Sequence, residues 1–123
     1  MDPSIKSHKD LIVWQKAVSL SLLIYRLTKD FPQREVYALS SQMRRAAVSI
    51  ASNIAEGRSR RTRKDFQHFL HMAYGSVAEL ETQLLIAKQL SFCNESQFQE
   101  NNSLLSEVSK MLRAMIQKLE STS

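Results

Sequence analysis

Apolar residues recur every three to four positions along almost the whole chain, and the pattern breaks at Asp30-Phe31-Pro32, after Gly57, and over Ser91 to Asn94. That period is the signature of amphipathic α-helices, whereas a half-buried strand alternates every second residue. Only two glycines and two prolines occur among 123 residues, too few for the turn chemistry of hairpins and sandwiches. The pattern predicts one all-α domain over residues 1–123, with helices at about 10–29, 34–57, 63–90 and 95–120.

The first helix carries Leu11, Trp14, Ala17, Val18, Ile24, Tyr25 and Thr28 on one side as its predicted core stripe. Pro32 disfavours helical geometry at the residue before it, and the second helix is expected to start near Arg34. Gly57 is read as its C-terminal cap, and Thr62 followed by Asp65 has the spacing of a capping box that opens the third helix. The third stripe is Phe66, Phe69, Leu70, Ala73, Val77, Leu80, Leu84 and Ala87. The fourth is Phe98, Leu104, Leu105, Val108, Met111, Leu112, Met115, Ile116 and Leu119. Short connections make sequential helices antiparallel neighbours, so the expected architecture is an up-down-up-down four-helix bundle with shallow left-handed packing.

Charge is the second strong signal. Arg58 to Lys64 reads Arg-Ser-Arg-Arg-Thr-Arg-Lys and holds Arg58, Arg60, Arg61, Arg63 and Lys64, five of the 17 Lys and Arg residues, with none of the 12 acids. Outside the run 17 − 5 leaves 12 basic against 12 acidic residues, so the whole net charge of +5 resides there. A cluster of this kind is an electrostatic footprint for anions, nucleic acid first. Phosphate contacts release counterions and give salt-dependent binding with little sequence preference. An acidic protein partner or a merely solvated turn would use the same residues. A membrane surface fits less well, because the run lacks bulky apolar side chains.

On a helical wheel the second helix shows apolar or small residues over an arc of about 200°, where a monomeric bundle helix needs little more than about 100°. Its polar face is narrow: Gln42, Arg45, Ser49, Ser52 and Glu56, a stripe that either orders a wet helix surface or lines a channel between subunits. Ile12, Leu23 and Leu27 fall away from the first helix's stripe, and Leu85 and Ile86 from the third's. The excess predicts a homo-oligomer whose interface includes Arg44, Val48, Ala51, Ala55, Leu85 and Ile86. Arg44 lies inside the apolar arc and needs compensation there, with Glu81 as the expected ion-pair partner. Arg45 is a weaker phosphate candidate.

Catalytic chemistry has little to build on. His68 and His71 are three apart on a helix but lack an evident third ligand, and Glu79 and Glu81 point about 200° apart, so no metal site and no carboxylate pair is expected. Cys93 is the only cysteine, read as a small apolar turn residue. No phosphate-binding glycine loop or nucleophile elbow occurs. The expectation is no enzyme activity, no cofactor and no small-molecule substrate. Residues 1–6 contain no apolar run, and no stretch reaches the roughly 18 apolar residues of a membrane span, so the expected location is the cytoplasm.

Three segments, Asp10-Leu-Ile-Val-Trp-Gln-Lys-Ala17, Ser41-Gln-Met-Arg-Arg-Ala-Ala-Val-Ser-Ile-Ala-Ser-Asn-Ile-Ala-Glu-Gly57 and Gly75-Ser-Val-Ala-Glu-Leu-Glu-Thr-Gln-Leu84, resemble one family. It is the four-helix-bundle proteins encoded in intervening sequences of bacterial 23S ribosomal RNA genes, relatives of the accessory variability determinant of diversity-generating retroelements. The likeness runs from about Lys9 to Leu119. It implies a small cytoplasmic bundle assembled into a ring, commonly a pentamer, without known enzymatic activity. The retroelement relatives bind nucleic acid through a basic surface and work with a reverse transcriptase. Many members carry proline where this chain has Ala51, which removes only a helix kink.

Overall fold

Each break in the apolar period becomes a turn between long helices. The computed structural model describes residues 7–121. Four helices make up the fold: α1 (Ile12–Lys29), α2 (Leu39–Arg58), α3 (Arg63–Gln89) and α4 (Glu95–Ser121), with 3-10 turns at His8–Asp10 and Gln33–Glu35 and no strand among the described residues. Residues 1–6, which hold no apolar run in the sequence, lie outside the described residues. No described helix is long and apolar enough to cross a membrane.

α1 packs against α2 and α4, and α3 packs against the same two, with the α2–α3 interface the most extensive. Among the described residues the diagonal pairs do not approach one another, which is the arrangement of a four-helix bundle. One core runs through all four helices: Val13, Ala17, Leu20 and Ile24 meet Met43, Ala47, Ile50 and Ile54, then Leu70, Ala73, Leu80 and Leu84, then Leu105, Val108 and Leu112. These side chains are excluded from water, and truncating any of the leucines to alanine costs about 2–5 kcal/mol.

The predicted stripe of α1 is rotated. Leu27, placed outside the core by the wheel, is buried, and Tyr25, placed inside it, is half exposed. A polar contact borders the seam there. Arg44 of α2 donates from Nε to the buried Thr28 hydroxyl (2.8 Å) and lays its guanidinium over the Tyr25 ring (5.0 Å), so Tyr25 sits on the outer edge of the α1–α2 seam. Arg44 therefore does not pair with Glu81, which is exposed on α3. A hydroxyl and an aromatic face compensate the guanidinium instead.

α2 begins at Leu39 rather than near Arg34. Pro32 starts a 3-10 turn whose Glu35 N–H donates to the Pro32 carbonyl (2.8 Å), and the Glu35 carboxylate then accepts from the Leu39 N–H (3.4 Å) at the start of α2. Tyr37, 96% exposed, has no neighbour to bury it, so extending the helix backward would gain no packing.

Gly57 does not terminate α2. The helix continues to Arg58, and the described glycines show no positive φ. Gly57 is buried against α3, where a Cβ would lie 2.7 Å from Phe69 Cβ and 3.1 Å from Phe66 Cδ1. Its role is close helix approach.

The α3–α4 turn is built from caps at both ends. Ser91 adopts φ 61°, its N–H donating to the Lys88 carbonyl and the Phe92 N–H to the Ala87 carbonyl, both at 2.9 Å. This is a Schellman motif with serine where glycine usually stands. Asn94 and Gln97 then cap α4 reciprocally: the Gln97 N–H donates to Asn94 Oδ1 (2.8 Å) and the Asn94 N–H to Gln97 Oε1 (2.9 Å). Phe92 packs on Phe31 (5.4 Å between centroids), and Cys93 is buried beside it. Burial pushes the Cys93 thiol above its ordinary pKa, with Glu95 adding to the effect. Hydrogen bonds from Gln99 and Lys88 hold the Glu95 carboxyl below its ordinary value.

Candidate nucleic-acid interface

The basic run forms the last turn of α2, a four-residue connection and the first turn of α3. Ser59 closes α2, its N–H shared between the Ala55 and Glu56 carbonyls (both 3.2 Å) and its hydroxyl donating to the Glu56 carbonyl (2.7 Å). Thr62 opens α3 by accepting the Asp65 N–H at 3.1 Å, one of the two bonds of the capping box that the spacing of these residues predicts.

The five cations are not equivalent. Arg58 is half-buried. Arg60 bonds Glu56 through Nη2 (2.6 Å) and stacks over the Phe69 ring at 4.8 Å, which fixes the side chain against α3. Both partners of that ion pair are about half exposed, so it contributes about 0–1 kcal/mol and leaves much of the charge open to a competing anion. Arg61, Arg63 and Lys64 are exposed, and Arg61 and Lys64 have no acidic partner among the described residues. The start of α3 adds its helix dipole beside them. Glu56 and Asp65 flank the run, so the local excess is smaller than the run alone indicates: five cations against two carboxylates.

Arg45 lies apart. Thirteen residues separate it from Arg58 on α2, about 20 Å along the axis at 1.5 Å per residue. It lines a cleft of about 360 Å³ between α2 and α3 with Gln42, Ala46, Ser49, Ser76, Glu79 and Gln83. At the back of that cleft Ser49 Oγ accepts from Ser76 Oγ (2.9 Å) and Asn53 Nδ2 (3.0 Å). The polar stripe predicted on α2 thus divides, with Ser49 drawn into the α2–α3 seam and Arg45, Ser52 and Glu56 left exposed. The wheel could not reveal the seam, because Ser76 and Gln83 sit on the edge of the α3 stripe and their pairing depends on register.

Of the expected self-association residues, Val48, Leu85 and Ile86 are exposed, whereas Ala51, Ala55 and Arg44 are half-buried. Leu22 and Met72 are also exposed, Leu22 beside a groove lined by α1 and α4 residues. His71 Nε2 meets Glu120 Oε1 of α4 at 3.4 Å and His68 packs edge-on against Phe69. Among the described residues no three His, Cys, Asp or Glu side chains gather as a metal site.

Helix packing and an exposed basic turn define a small all-α bundle protein. More narrowly, the chain belongs to the 23S rRNA-intervening sequence protein family, whose model it matches over residues 9–114. Among solved structures it is similar to a protein of unknown function from the S23 ribosomal protein family of Bacteroides thetaiotaomicron, determined at 1.70 Å resolution. The TM-score is 0.78 with 24% identity over 85% of this chain and 98% of that one, which establishes the shared fold. No curated protein matches the chain.

Proposed function

We propose that this protein is a non-enzymatic, homo-oligomeric bundle that binds nucleic acid through its phosphates at the α2–α3 turn, RNA in preference to DNA. The carrying observation is the exposure of Arg61, Arg63 and Lys64 within four residues around the start of α3. Arg60, held on Glu56 and Phe69, and the half-buried Arg58 complete the set of phosphate contacts. The preference for RNA rests on the family's name alone, which refers to 23S rRNA. In this reading the helices alternate in direction, a reading supported by Phe31 at the end of α1 meeting Phe92 of the α3–α4 turn. Copies pack through Val48, Ala51, Ala55, Leu85 and Ile86 into a cytoplasmic ring, a pentamer, that repeats the basic turn around one rim and multiplies weak contacts.

Titration of structured RNA and duplex DNA at two salt concentrations tests the binding. At 0.1 M salt the combined Arg61→Ala, Arg63→Ala, Lys64→Ala variant should bind RNA roughly a hundredfold more weakly, with a salt slope shallower by about 0.9 for each phosphate no longer neutralised. Affinity unchanged by the replacement sinks the reading. Binding only to an acidic protein, such as a reverse transcriptase, would instead assign the patch to protein docking. Light scattering tests the assembly: the mass should be a multiple of 14.1 kDa, and a monomer at tens of micromolar refutes it.

A further inference from the structure

Arg44 carries a charge that its own chain does not neutralise. The guanidinium is half-buried in the α1–α2 seam, where the Thr28 hydroxyl takes one of its N–H donors and the Tyr25 ring covers one face. It has no acidic partner among the described residues. The surface around it is apolar or small: Tyr25 and Val48 are exposed, and Ala51 and Ala55 are half-buried on the same edge of α2. A cation so placed gains from a carboxylate that arrives with apolar surface of its own, because water then leaves the pair.

Glu81 offers such a carboxylate. It is exposed on α3 with no ion-pair partner among the described residues, and Tyr74, Ala78 and Leu85, all exposed, flank it at helical spacing. Two contacts fix which edge of α3 this is. Lys88, seven residues beyond Glu81, reaches Glu95 of α4 at 3.1 Å, and His71, seven before Ala78, meets Glu120 of α4 at 3.4 Å. Glu81 therefore lies on the α3–α4 side of the bundle. That side is opposite the α1–α2 seam, since α1 and α3 each pack on α2 and α4 and not on one another.

Patches on opposite sides can meet only between copies. We propose that Arg44 of one copy pairs with Glu81 of the next, the α1–α2 edge of each chain docking on the α3 edge of its neighbour. Such an interface is heterologous: every copy uses both patches, and the contacts close into a ring where the rotation per copy divides a full turn. Height favours closure. Gly57 lies against Phe69 and Ser49 meets Ser76 across the α2–α3 seam, so numbers on α2 fall as those on α3 rise. Arg44 is five residues from Ser49 and Glu81 five from Ser76, which sets both charges at one level along the bundle. Pairing them needs no shift along the axis, whereas a helical filament would require one. The proposal rests on the self-association reading above and adds the two surfaces and the ion pair that carry it.

Light scattering of the whole chain over a range of concentrations tests it. Glu81→Arg, at an exposed position that leaves packing intact, should raise the concentration for half-assembly roughly a hundredfold, because like charges then face each other. Glu79→Arg makes the same charge change about 200° away around α3 and should leave the assembly as it is. Adding Arg44→Glu to Glu81→Arg reverses the pair and should recover the assembly. Where that double variant loses its helical circular dichroism, the comparison of Glu81→Arg with Glu79→Arg decides alone. A wild-type oligomer that Glu81→Arg leaves unchanged, or that Glu79→Arg weakens equally, overturns the pairing while self-association stands. A wild-type monomer at tens of micromolar removes both.

Discussion

The two connections flanking α3 join long helices with opposite chemistry. The α2–α3 connection is polar and exposed, and the helices it joins are held by what lies beneath it: Gly57 against Phe69 and Phe66. The α3–α4 connection is held by its own residues, with Phe92 on Phe31, Cys93 buried and both helix ends capped locally. In the first, Ser59 and Thr62 cap the helix ends and Arg60 is held on Glu56 and Phe69, while Arg61 is exposed and has no acidic partner among the described residues. The second uses its side chains for closure and presents little to a partner. Under the proposed reading, binding and stability are divided between the two turns, as expected where binding residues ride on loops positioned by a rigid scaffold.

The contrast breaks most sharply at Gly57. Gly57→Ala places a methyl group 2.7 Å from a backbone-anchored Cβ. The helices must separate, and urea unfolding should show a loss of about 2–3 kcal/mol despite the better helix propensity of alanine. Phe92→Ala, in the other turn, should cost about 2 kcal/mol by removing the ring that packs on Phe31, whereas the triple replacement at Arg61, Arg63 and Lys64 should leave stability within about 0.5 kcal/mol. A large loss from the triple variant would mean that the basic turn is structural after all. The smallest effect is a gain: Ser91→Gly relieves the positive φ of 61° and should stabilise the chain by about 0.5–1 kcal/mol. A neutral or destabilising result there would show that the serine side chain has a role of its own.

Much of the fold is legible in the sequence because it depends on periodicity. The end of α1, the start of α3 at the Thr62 cap and most of the α3 and α4 stripes sit where the spacing places them. What is not legible depends on pairing. The wheel gives angles within a helix but not which sector a neighbour covers, and so it exchanges Leu27 and Tyr25. A carboxylate is the commonest partner of a buried guanidinium, yet Thr28 and Tyr25 lie across the seam from Arg44. Gly57 reads as a cap from local statistics, and only the nearness of Phe66 and Phe69 shows it to be a contact. At the basic turn the sequence names the cations but not their inequality, since Glu56 lies outside the run and reaches Arg60 only through one helical turn.

The missing methyl at Gly57 also acts as a ruler. Because the interhelical spacing at that end is set by a solid contact rather than by the connecting loop, the separation between the cations on α2 and those on α3 is a property of the hydrophobic core. Under the proposed reading, a charged polymer would meet helix ends whose separation is fixed before contact, so that only the side chains would have to be ordered on binding. Widening that gap by one side chain would change which backbone geometry they match, and substrate discrimination would then respond to a residue that no ligand touches.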